Sequence, residues 1–113
     1  MDSRLPAHVE VSGLVRMVNA SGGFGTVVST GERDAGTILV IFLQQGKNAW
    51  IYERMPCLDG TRKWACSKSY DPEKPFEFQD YIERRKRQDP DLWVVELDSQ
   101  NPEQFVSQLA GGG

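Results

Sequence analysis

The sequence predicts an α+β domain: a single mostly antiparallel sheet of about five strands with helices packed on it, in the order α-β-β-β-β-α-β-α. Three observations predict it. Between residues 24 and 70, short runs of β-branched and aromatic residues are separated by tight-turn residues, the mark of consecutive antiparallel strands. Residues 9–19 and 75–88 instead carry apolar side chains at helical spacing. The run Ile38–Leu43 is apolar without alternation, so it belongs inside the sheet with both faces covered. Leaving one face of that run in water would forfeit roughly 1.5–3 kcal/mol for each of three side chains. That loss is comparable with a whole domain's stability of ~5–15 kcal/mol. The covering layer is expected from the chain's own helices or from a second subunit, and the second case makes the protein a homodimer.

The first helix follows from Val11, Leu14, Val15 and Val18; Gly13 weakens it and Ser21-Gly22-Gly23 ends it. Phe24–Ser29 reads as the first strand, closed by a turn through Thr30–Asp34. Gly36–Leu43 is the second, and Gln44–Asn48, centred on Gly46, is its turn. In the third strand, Ala49–Met55, alternation places Trp50, Tyr52 and Arg54 on one face and Ala49, Ile51, Glu53 and Met55 on the other. Pro56 stops it, Asp59-Gly60 turns the chain, and Arg62–Tyr70 returns. These strands predict an antiparallel meander. Asp71–Pro75 opens a helix to about Gln88, with Phe78, Tyr81 and Ile82 as its apolar stripe. Asp89-Pro90-Asp91 breaks it, and Leu92–Leu97 is the last strand, with Trp93, Val95 and Leu97 facing a helix layer. Asn101 caps a final helix with Pro102 at its first position; Phe105, Val106 and Leu109 form its buried side. Residues 1–110 form one domain and 111–113 a disordered glycine tail.

The composition suits a soluble globular protein: 113 residues, 39% hydrophobic and 26% charged. No apolar run approaches the ~20 residues that cross a bilayer. Residues 1–20 carry Arg4, Glu10 and Arg16 and lack a signal peptide's apolar core, so a cytoplasmic location is expected. A net charge of −3 gives the chain as a whole no attraction for nucleic acid or an anionic membrane. Cys57 and Cys66 are expected as free thiols in a reducing compartment, and His8 is the only histidine, too few ligands for zinc. No phosphate-binding loop, dinucleotide fingerprint or nucleophile motif is present, and no cofactor is expected.

Two segments hold all three tryptophans: Trp50–Trp64, with Pro56 and the Asp59-Gly60 turn, and Asp89–Asp98, with Pro90. Together with Leu5-Pro6-Ala7-His8-Val9-Glu10-Val11-Ser12, Gly22-Gly23-Phe24 and Asp34-Ala35-Gly36, they make the chain resemble the DUF1491 family, small bacterial proteins of unknown function. The resemblance spans Arg4 to Phe105. It brings no reaction, ligand or catalytic residue with it.

Function must therefore be read from residue types. Tyr52, Arg54 and Trp64 are the partner-binding candidates, because Tyr, Trp and Arg dominate protein-binding hot spots. The first expectation is accordingly a non-enzymatic, cytoplasmic protein-interaction or accessory module. The alternative for these rings is burial as core under the helices. A second reading is nucleic-acid binding through Arg84 and Arg87 of the basic cluster Glu83–Arg87, acting with the aromatic strands. Against it, Asp80 and Glu83 lie one turn before Arg84 and Arg87 and can neutralise them, while Arg85 shares the apolar stripe and can send its head to water. A third reading is a divalent-metal nuclease-like enzyme using Asp34 and Glu53. It needs the two carboxylates close together, and it lacks the lysine two positions after the second acid, where Met55 stands.

Overall fold

The computed structural model describes residues 5–111, with side chains through 106. Helix α1 (Ala7–Ala20) leads into β1 (Phe24–Ser29), β2 (Ile38–Gln44), β3 (Asn48–Pro56) and β4 (Arg62–Ser69). Then come α2 (Pro75–Gln88), β5 (Trp93–Asp98) and α3 (Pro102–Gly111). The expected element order holds. Gly111 closes α3, so of the expected glycine tail only 112–113 remain, and these lie outside the described residues, as does the Leu109 side chain.

The sheet order is β1-β5-β2-β3-β4. The meander is real for β2–β4, but β1 does not belong to it: β5 sits between β1 and β2, antiparallel to the first and parallel to the second. Burial explains the insertion. A strand apolar on both faces needs a strand of the same kind beside it, and Trp93–Leu97 is the segment whose composition matches β2. Helix α2 supplies the crossover that a parallel β2–β5 pair requires.

Both faces of β2 are covered by the chain's own helices. On one side Ile38, Val40 and Phe42 join Trp93, Val95 and Leu97 beneath Ala7, Val11, Leu14 and Val18 of α1 and Phe105 of α3. On the other, Leu39 and Ile41 join Ile51, Leu92 and Val94 beneath Ile82, Phe78 and Tyr81 of α2. The central strand is thus buried without a second subunit.

The segment between β1 and β2 is tied down by hydrogen bonds. The Glu32 carboxylate accepts from the amides of Asp34 and Ala35, Glu32 N donates to Asp91 O (3.0 Å), and Trp93 Nε1 donates to Glu32 O (2.7 Å). Helix α1 has no side-chain cap. Instead Ala7 N donates to Asp34 O and His8 N to Arg33 O, both 2.9 Å, satisfying two of the amides left open at a helix start. The two bonds clamp residues 33–36 against the first turn of α1.

Candidate functional site

The alternation of β3 sends Tyr52 and Arg54 to the α1/α3 side and Glu53 to the α2 side. Arg54 lies at the junction of three elements. Its guanidinium pairs with Glu10 of α1 and sits 4.7 Å from the centre of the Trp64 ring, its cross-strand neighbour on β4. The clamped loop completes a cleft of about 310 Å³ there, lined by Leu5, Pro6, Ala7, Glu10, Asp34, Ala35, Gly36 and Arg54. Segments far apart in sequence, Leu5–Glu10 and Asp34–Gly36, meet at this cleft. The sequence marked both but carried no signal that they touch.

Further along the same face a second cleft of about 420 Å³ opens between β3 and α3. Gln44, Trp50, Tyr52, Pro102, Glu103 and Val106 line it. Tyr52 is held from behind by an edge-to-face contact with buried Phe42, ring centres 5.5 Å apart. Burial, then the nearby Cys66 charge, raises the Tyr52 phenol above its ordinary pKa, so the ring stays neutral at physiological pH. Two aromatic rings and the Glu103 carboxylate on one rim form a setting for an organic cation. Nothing in the sequence pairs Trp50 with Glu103, because they come together only through the docking of α3.

The candidates Tyr52, Arg54 and Trp64 therefore share one face, half-buried against the α1/α3-side core; Arg54 lines the first cleft, Tyr52 the second, and Trp64 lines neither but packs against Arg54. Core and surface roles are combined in these rings. Arg84 and Arg87 are exposed on α2, across the sheet from the aromatic face, so the arrangement the nucleic-acid reading needs is not formed. The expected neutralisation also differs: among the described residues Glu83 pairs with Lys86, at 3.8 Å, and accepts from Gln79. The Arg85 head does not reach out to water as expected but turns inward to Glu53.

That contact overturns the metal reading. Glu53 is 4% exposed, and both its oxygens are taken: Oε1 by Arg85 Nε at 2.8 Å, Oε2 by Ser67 Oγ at 2.7 Å and Tyr81 OH at 2.5 Å. Asp34 lies by the α1 start, on the other side of the sheet. Among the described residues no cluster of three or more metal-ligating side chains forms. Cys57 and Cys66 are free thiols.

A family model described as "Protein of unknown function (DUF1491)" matches residues 5–107. The chain belongs to the DUF1491 family. A crystal structure of a DUF1491 protein from Caulobacter crescentus is similar at a TM-score of 0.74 and 30% identity, over 86% of this chain and 90% of that one. An NMR structure of a Caulobacter DUF1491 protein gives 0.71 and 31%, over 86% and 87%. A solution structure of a protein from A. tumefaciens gives 0.69 and 30%, over 85% and 86%. No curated protein matches the chain. No helix among the described residues is long and apolar enough to cross a membrane. Both clefts fall within the matched span, and the DUF1491 description attaches no function to either.

Proposed function

We propose that this DUF1491 protein is a cytoplasmic, non-enzymatic interaction module that docks a basic segment of a partner protein on its α1/α3 face. One observation carries the reading: the cleft in which Trp50 and Tyr52 stand beside the Glu103 carboxylate. A lysine or arginine side chain placed there meets two aromatic rings and a counter-charge, while its stem covers apolar surface. The neighbouring Trp64 already holds a cation in this way, the chain's own Arg54. The net charge of −3 favours the same partner charge.

An NMR titration tests this. A short arginine- and lysine-containing peptide should shift the Trp50 indole, Tyr52 and Glu103 signals, weaken with added salt, and lose its effect with Glu103→Lys. An acidic peptide of equal length should leave those signals in place. Equal responses to both peptides, or an unchanged response in Glu103→Lys, would reject the site.

A further inference from the structure

We propose that β1 is a self-association strand, through which two copies of this chain pair antiparallel across a two-fold axis at Thr26 and join their sheets into one. The proposal concerns a surface separate from the clefts and does not depend on them. Strand β1 is an outer strand of the sheet, paired only with β5. Along it Phe24 is 69% exposed, Val27 41% and Val28 51%. An apolar strand that carries no further strand on its outer side, as β1 does among the described residues, is a template for another strand. The opposite edge, β4, is protected in the usual way by Arg62, Lys63 and Lys68.

The occupant follows from charge and register. A two-fold axis brings every residue near it close to its own copy, so a charged strand repels itself. Phe24-Gly25-Thr26-Val27-Val28-Ser29 carries no charge at all. The hydrogen-bonding pattern is also self-matching. Gly25 N donates to Asn19 Oδ1 (2.9 Å), so that amide points away from β5 toward the free edge. Strand alternation then turns Val27 outward as well. With Thr26 opposite Thr26 of the second copy, Gly25 lies opposite Val27 and the two exchange their outward amides and carbonyls. Beyond Val27 strand β1 shifts its register against β5, so the exchange of outward groups is confined to Gly25–Val27, and Phe24 and Val28 flank it as apolar side chains. Asn19 occupies the Gly25 amide in the single chain and swings aside when the strands join. Beside the strand, α1 and β1 enclose a groove of about 580 Å³ lined by Val11, Val15, Arg16, Asn19 and Val27. It widens the contact from one strand to a strand and a helix side, toward the ~800 Å² per partner typical of specific interfaces.

Analytical ultracentrifugation of the full chain over a concentration series tests the proposal. The wild type should sediment as a monomer–dimer equilibrium. Thr26→Lys should raise the dimer dissociation constant by about 10-fold, since it sets two like charges face to face while Glu96 on β5 offsets part of their repulsion. Glu96 is the Thr26 neighbour on β5, so the new cation finds a counter-charge within its own chain and the fold is kept. Independently, Thr26→Cys in a Cys57→Ser/Cys66→Ser background should oxidise to a symmetric disulfide dimer, while Leu58→Cys at the exposed β3–β4 turn should not. A wild type that stays monomeric at all concentrations overturns the proposal. So does a dimer indifferent to Thr26→Lys, or equal cross-linking from both cysteine positions.

Discussion

Glu53 shows how one residue ties a helix to a sheet. Its carboxylate is buried, and its three partners come from two elements, Ser67 from β4 and Tyr81 and Arg85 from α2. Removing it strands a guanidinium and two hydroxyls. Glu53→Ala should cost roughly 3–5 kcal/mol, toward the lower figure because Arg85 keeps some access to water. Tyr81→Phe, which deletes one hydrogen bond, should cost about 1 kcal/mol. Urea unfolding measures both, and a loss below that of Tyr81→Phe for Glu53→Ala would contradict the role given to the carboxylate. The phenols also set an alkaline limit. Burial, then the hydrogen bond to Glu53, raises the Tyr81 pKa, and burial raises that of Tyr52. In the unfolded chain these groups ionise near pH 10. Both forms hold the proton below that, so stability is unaffected there. Above about pH 10 the unfolded state loses protons first, and stability falls until the folded phenols ionise too. An ultraviolet absorbance titration of the folded protein should show these two tyrosines ionising above the free-tyrosine midpoint.

Among the elements, α1 and the loop clamped to it respond to glycine replacement in opposite directions. A Cβ on Gly13 would meet nothing, and the position is exposed in mid-helix. Gly13→Ala should therefore stabilise by roughly 0.5–1 kcal/mol, the helix preference of alanine over glycine. A Cβ on Gly31 would collide with the Asp91 carbonyl and crowd Leu92 and the Trp93 ring. Gly31→Ala should cost roughly 1–3 kcal/mol by forcing backbone apart, and should disturb the Trp93-to-Glu32 hydrogen bond. Thermal melts followed by Trp fluorescence separate the two signs. Equal effects from both substitutions would show that the loop packs less closely than described. Most helix and strand extents were legible in the sequence because spacing and turn residues act locally: the Phe24–Ser29 strand and the helix end at Gln88 stand where they were expected. The start of α1 was less legible. Its cap comes from the Arg33 and Asp34 carbonyls, which no nearby residue announces.

For the whole molecule, stability rests on β5 more than on its place near the end of the chain implies. It joins β1 to β2 and packs against both helix layers. Leu97→Ala, at a fully buried position on this strand, should cost roughly 2–5 kcal/mol. Leu58→Ala, at the exposed turn, should stay within about 0.5 kcal/mol. Chemical denaturation of the two variants checks the contrast, and comparable losses would rule it out.

Local sequence by itself determined the elements, their order, the two-sided burial of Ile38–Leu43 and the split of β3 into a Tyr52/Arg54 face and a Glu53 face. All of these follow from periods of two or 3.6 residues and from turn chemistry within a few positions. Only the tertiary structure decided that β5 enters between β1 and β2, that Glu53 is buried with Arg85 rather than paired with Asp34, and that Trp50 and Glu103 share a cleft. Each depends on contacts between residues distant in sequence. Periodicity says which face of an element is apolar, but the partner on that face is chosen by the packing of the whole chain.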